Sequence, residues 1–128
     1  MSNTFLILLM IFFHIVADYN LQGWLASAKQ KSYWEENAPN EMYSWDYICA
    51  LVTHGFQWSF LVMLPIAIDM GFVIGCEFVI MLIANTVVHW LIDDAKANIK
   101  IINLCIDQEL HMMQILCTAL WYLGLVKT

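Results

Sequence analysis

Seven ionisable side chains interrupt stretches of this chain that are otherwise apolar. His14 and Asp18 stand four residues apart in HIVADYNLQ, His89 and Asp93 in HWLIDDAK, and Asp107 and His111 in DQELH; His54 lies alone in a further apolar run. Residues four apart share one face of a helix, so each pair presents an imidazole beside a carboxylate. Neutral imidazole combined with carboxylate suits Zn²⁺, Mn²⁺ or Fe²⁺ rather than Ca²⁺ or Cu⁺. The candidate metal ligands are therefore His14, Asp18, His54, His89, Asp93, Asp107 and His111. They exceed one tetrahedral shell. Either one ion takes four of them while the rest orient ligands, or two ions share the set about 3.5–4 Å apart. Zn²⁺ is the first choice, with Mn²⁺ or Fe²⁺ as alternatives. Such an ion activates water near neutral pH. A spare carboxylate among Asp18, Asp93 and Asp107 would then act as general base, and Lys96 is placed to contact a substrate anion.

A simpler reading competes with this one. A lone buried histidine such as His54 is commonly a satisfied core residue, the aspartates could reach toward water at a helix end, and each pair could be a hydrogen bond joining two helices. Three pairs and a fourth histidine at one depth favour a site.

The elements that carry these groups are membrane-like. Of 128 residues, 62% are hydrophobic and 12% charged, with a mean hydropathy of +0.68, against about 25% charged in soluble domains. The net charge is −6 and there is no arginine, which argues against nucleic acid as a partner because phosphate binding needs clustered Lys or Arg. The expectation is an all-α, integral-membrane four-helix bundle forming a single domain over residues 1–128. A crossing takes about 20 apolar residues. Residues 45–68, 71–92 and 101–126 qualify, and the first helix, from Thr4, reaches spanning length only if it continues through Asp18, Asn20 and Gln22 to about Leu25. MSNTFLILL lacks a basic side chain and reads as a retained helix rather than a cleaved signal. The four cysteines lie in apolar stretches without a Cys-x-x-Cys pair and read as small hydrophobes.

Four crossings put the first and third connections on one side. These carry Lys29, Lys31, Lys96 and Lys100, against Lys127 on the other side. The excess of lysine places them in the cytoplasm, with both termini outside a plasma or inner membrane. At about 1.5 Å per residue, all seven ionisable groups then fall within about 10–15 Å of the cytoplasmic interface. HxxxD recurs at the loop-side end of both odd-numbered helices, and a histidine lies in the entry half of both even-numbered ones, a hint of two related hairpins. The segment KQKSYWEENAPNEMYSW reads as a solvated loop, and Asn85, four residues before His89, as a group that orients that ring.

Taken together, HIVADYNLQ, His54, HWLIDDAK and DQELH resemble a small bacterial and phage membrane-protein family of unknown function, over nearly the whole chain. Its pattern is matched by His14, Ala17, Asp18, Tyr19, Leu21 and Gln22, by His89, Asp93 and Lys96, and by Asp107, Gln108 and His111. More distantly, the chain is similar to membrane-bound metal-dependent hydrolases, which implies hydrolysis by analogy.

Three functions follow as expectations. The first is a metal-dependent hydrolase acting on a lipid or membrane-proximal substrate from the cytoplasmic leaflet. The second is a non-enzymatic membrane interaction or regulatory protein, in which a metal or polar staple holds the helices. The third is a divalent-metal or proton transporter, disfavoured because the outer half of the spans carries only Ser59, Glu77 and Thr118. The lipid bilayer is the expected partner, and the aromatic-rich exterior of so small a bundle leaves room for a homo-oligomer.

Overall fold

The computed structural model describes residues 1–126, and Lys127, used above to weigh orientation, lies outside them. Six α-helices and no strands are found among the described residues: α1 Asn3–Ile15, α2 Leu25–Ala28, α3 Lys31–Asn37, α4 Asp46–Asp69, α5 Cys76–Asp94 and α6 Leu104–Val126. The long helices α1, α4, α5 and α6 alternate in direction around a core of Leu6, Met10, Trp58, Met63, Ile66 and Ile115, all nearly inaccessible. Ser2 caps α1, its hydroxyl accepting from the Phe5 amide at 3.3 Å. At the opposite end from the histidines, the Tyr122 hydroxyl donates to Asp69 at 2.9 Å and ties α6 to α4.

The segments Asn3–Asn20, Glu41–Asp69 and Cys76–Ile99 are long and apolar enough to cross a membrane. That makes three among the described residues, where four were expected. The difference is α6: although 23 residues long, it opens on Asp107, Gln108, Glu109 and His111 and is not among the three. The outward faces are strongly apolar, with Phe5, Leu8 and Phe12 on α1, Ile80 and Ile83 on α5, and Met113 and Leu120 on α6 all exposed. In water such a surface would be an aggregation liability; against acyl chains it is solvated.

α1 does not run on to Leu25 as expected. It ends at Ile15 and widens into a π-turn over Val16–Asn20, closed by the Leu21 amide on the Val16 carbonyl at 3.0 Å. Gly23, at φ +50°, then turns the chain where residues with a Cβ are disfavoured. A second π-turn, Ala95–Ile99, ends α5. Single π-turns frequently accompany functional sites; the first here contains Asp18 and the second begins two residues after Asp93.

The first connection is not simply a solvated loop. α2 and α3 fold it back over the bundle end, where the Trp34 indole donates to the Ala28 carbonyl at 2.7 Å and stacks on Tyr43. Ala28 and Lys29 are buried beneath it. α4 and α5 pack closely at Gly55, where an added Cβ would lie 2.9 Å from the Thr86 carbonyl oxygen. That approach brings the neighbouring His54 to the level of His89.

Candidate metal centre

Three helices each contribute one imidazole to a common point. His54 on α4, His89 on α5 and His111 on α6 are fully buried. The His54 Nε2 lies 3.2 Å from Asp18 Oδ1 and 3.5 Å from Asp93 Oδ2. The His89 Nε2 is 3.8 Å from Asp18 Oδ1 and 3.7 Å from Asp93 Oδ2. The His111 Nε2 is 3.6 Å from Asp93 Oδ1. Rings of His89 and His111 stack at 4.2 Å, and Trp58 stacks on His89 at 4.3 Å with its centroid 5.6 Å from that of His111. Those contacts hold the imidazole planes in place.

The spacings bear directly on what the cluster can hold. Side-chain hydrogen bonds to nitrogen cluster near 2.9–3.0 Å, and only the His54–Asp18 pair approaches that. Ligands about 2.0–2.1 Å from a tetrahedral ion lie about 3.4 Å from one another. The observed 3.2–3.8 Å range is of that size. Moreover, the Nε2 atoms of His89 and His111 are buried without a hydrogen-bond partner, an arrangement that is costly unless something else accepts their lone pairs. Two triads have donor atoms mutually within 4.8 Å, namely Asp18–His54–His89 and His89–Asp93–His111. Both could hold a metal ion.

His14 and Asp107 stand apart from those triads. The Trp58 indole N–H donates to His14 Nδ1 at 2.9 Å, so the His14 proton resides on Nε2 and faces Gln108 Oε1 at 3.1 Å. Both ring nitrogens are thus occupied. The Gln108 amide donates in turn to Asp107 Oδ2 at 2.9 Å, which also receives Lys96 Nζ at 2.5 Å. A continuous chain therefore runs Trp58, His14, Gln108, Asp107, Lys96. Asp107 Oδ1 lies 3.5 Å from His111 Nε2, beside the cluster.

Lys29 is the group that sequence reasoning missed. Counted there as a loop cation marking topology, it is 5% exposed and donates to Asp93 Oδ2 at 2.7 Å. The small, apolar GWLASA that precedes it was the available signal, since such a segment can fold inward. Lys96 stands as expected at the rim, also 3.9 Å from Asp93 Oδ1. Asn85 does not orient His89: its amide donates to the Met81 carbonyl, and its carbonyl oxygen accepts from Gln114 and Thr118 at 2.9 and 3.0 Å. Asp94 belongs to neither triad and accepts from the Asn98 amide at 2.7 Å. All four cysteines are unpaired and exposed on the helix surfaces.

A cavity of about 410 Å³ opens beside the cluster at the bundle end. Asp18, Lys29, Lys96 and Gln108 reach its wall from the centre, and Tyr19 and Leu104 border it.

Comparison with known families gives one finding: the profile of a family described as "Protein of unknown function (DUF3307)" matches residues 5–127. No curated protein and no solved structure matches the chain.

Proposed function

The chain belongs to the DUF3307 family of unknown function, and on the chemistry of its buried centre we propose that it is a membrane-embedded, metal-dependent hydrolase acting on a lipid or membrane-proximal substrate. The observation that carries this reading is the convergence of three Nε2 atoms from α4, α5 and α6 on Asp18 and Asp93 at 3.2–3.8 Å. The donor set fits Zn²⁺ first, then Mn²⁺ or Fe²⁺. One ion rather than two is favoured, because His89 belongs to both triads and its Nε2, which faces both Asp18 and Asp93, has a single lone pair to give. His54, His89, His111, Asp18 and Asp93 would hold the ion.

When bound, a divalent ion supplies Lewis-acid activation of water at neutral pH. The protein's own groups have separate tasks. Asp107, whose Oδ1 is buried without a hydrogen bond, is placed to accept a proton at that atom. Lys96 fixes its other oxygen. His14 positions Gln108 and so Asp107, without touching the ion. The adjoining cavity supports catalysis over a purely structural staple, since structural sites are closed while catalytic ones keep an open approach.

In this reading α6, despite its charged first turns, packs as the fourth membrane-embedded helix, shielding Asp107 and His111 inside the bundle. The four lysines of the first and third connections favour the cytoplasmic face for the site.

Elemental analysis of detergent-purified protein tests the reading. About one divalent ion per chain is expected, with phospholipid turnover lost in chelator and restored by metal. Absence of bound metal after growth and purification in metal-replete medium would defeat it.

A further inference from the structure

We infer that the cavity beside the centre is a binding site for the phosphodiester of a membrane-lipid headgroup, with Lys29 and Lys96 as its cationic anchors. The inference rests on the metal-centre reading for its charge balance.

Two ammonium groups on one small cavity wall are unusual in a chain with five basic residues in all. Each ammonium has three N–H donors. Lys29 directs one to Asp93 at 2.7 Å and Lys96 one to Asp107 at 2.5 Å, which anchors the nitrogens and leaves further donors for the cavity. The amides of Gln22 and Gln108 stand on the same wall. Gln22 makes no side-chain hydrogen bond within the described chain, so its donors are uncommitted.

Charge selects the ligand class. Asp18, Asp93 and Asp107 contribute three negative charges, and Lys29 and Lys96 two positive ones. A divalent ion at the neutral imidazoles brings the centre to one positive charge. A phosphodiester, with one negative charge, closes that balance; a second cation would be repelled.

Depth selects its source. The membrane-length segments from α1 and α5 end at Asn20 and Ile99, and the cavity is lined by Asp18, Tyr19 and Lys96 at those ends. Tyr19 and Leu104 on its border are 58% and 57% exposed. Aromatic side chains collect at the headgroup level of bilayers, and an apolar collar suits the glycerol and first acyl carbons of a lipid better than a free ion.

The test uses the full chain, zinc-loaded in a non-ionic detergent, titrated calorimetrically with dihexanoyl phosphatidylglycerol, dihexanoylglycerol and inorganic phosphate. The phosphatidylglycerol should bind, and Lys96→Gln, Lys29→Gln and Gln22→Ala should each weaken it, the lysine variants by about tenfold or more. Dihexanoylglycerol should bind at least tenfold more weakly, and inorganic phosphate likewise. Equal affinity for dihexanoylglycerol would overturn the anion site, leaving only an apolar groove. Equal affinity for inorganic phosphate would overturn the lipid source. Unchanged affinity in both Lys96→Gln and Gln22→Ala, with the melting profile intact, would overturn the assignment even if Lys29→Gln fails to fold. Metal content is read on the same samples: lysine-dependent lipid binding by metal-free protein would uphold the anion site while removing the ion from the charge balance.

Discussion

Lys29 and Asp93 are 64 residues apart in sequence and meet at 2.7 Å in a buried ion pair. The pair joins the folded-back first connection to the end of α5, and it occupies one oxygen of a carboxylate that also faces His54 and His89. Removing one partner of a buried pair leaves an uncompensated charge, which costs about 3–5 kcal/mol. Lys29→Met should therefore lower thermal stability in detergent sharply. The double variant Lys29→Met/Asp93→Asn should recover part of that loss in a double-mutant cycle; purely additive effects would show that the pair contributes nothing as a pair.

His14 and His89 should separate cleanly on metal content. His89 serves both triads, so His89→Ala should leave the protein essentially metal-free. His14 has both nitrogens engaged by Trp58 and Gln108. His14→Ala should retain the ion but lose about 1–3 kcal/mol of stability by stranding the buried Trp58 indole and the half-buried Gln108. Loss of metal in the His14 variant, with the fold intact, would make it a ligand after all.

At Gly55 an alanine Cβ would meet the Thr86 carbonyl oxygen at 2.9 Å, whereas one at Gly124 would meet nothing within 4 Å. Gly55→Ala must push α4 and α5 apart, shifting His54 relative to His89. Zinc affinity, measured by competition with a chelating dye, should fall about tenfold or more while Gly124→Ala stays near wild type, since misplacement of a site by under an ångström is costly. Equal affinities would mean that the helix contact does not set the ligand geometry.

Protons compete with an ion for imidazole nitrogen and for carboxylate oxygen. Affinity should therefore rise with pH and fall as pH drops, and dialysis at about pH 5 should strip metal that is retained at about pH 8. Stabilisation by added zinc, read as a rise in melting temperature, should follow the same direction. A zinc-dependent stabilisation that grows toward acid pH would contradict imidazole ligation.

How much of this was legible beforehand depended on distance along the chain. The HxxxD and DxxxH pairs were readable because four-residue spacing fixes a shared helix face locally, and the apolar runs identified the long helices. The alignment of depths brought the histidines of α4, α5 and α6 together in expectation as in the structure. Lys29 was not readable, because its burial depends on the turn at Gly23 and on α2 folding back. Nor was His14's separate role, which is decided by the Trp58 indole from another helix; Trp58 stands four residues after His54, on the same face, but an aromatic at that spacing is indistinguishable from core packing. The described residues give three membrane-length apolar segments where four were expected, because α6 opens on charged and polar turns that lower its mean hydropathy. The π-turns left no local trace, since no residue type demands them.

The Lys29–Asp93 pair and the gathering of ligands from residue 18 to residue 111 also order events during biosynthesis. In the proposed membrane setting, a first hairpin entering the bilayer would carry Asp18, Lys29 and His54 with no counterpart yet synthesised for any bond to α5 or α6. Those groups would wait near the aqueous boundary, hydrated, until α5 brings His89 and Asp93 and α6 brings His111. The centre's place at the end of the bundle, not its middle, is what makes that waiting affordable.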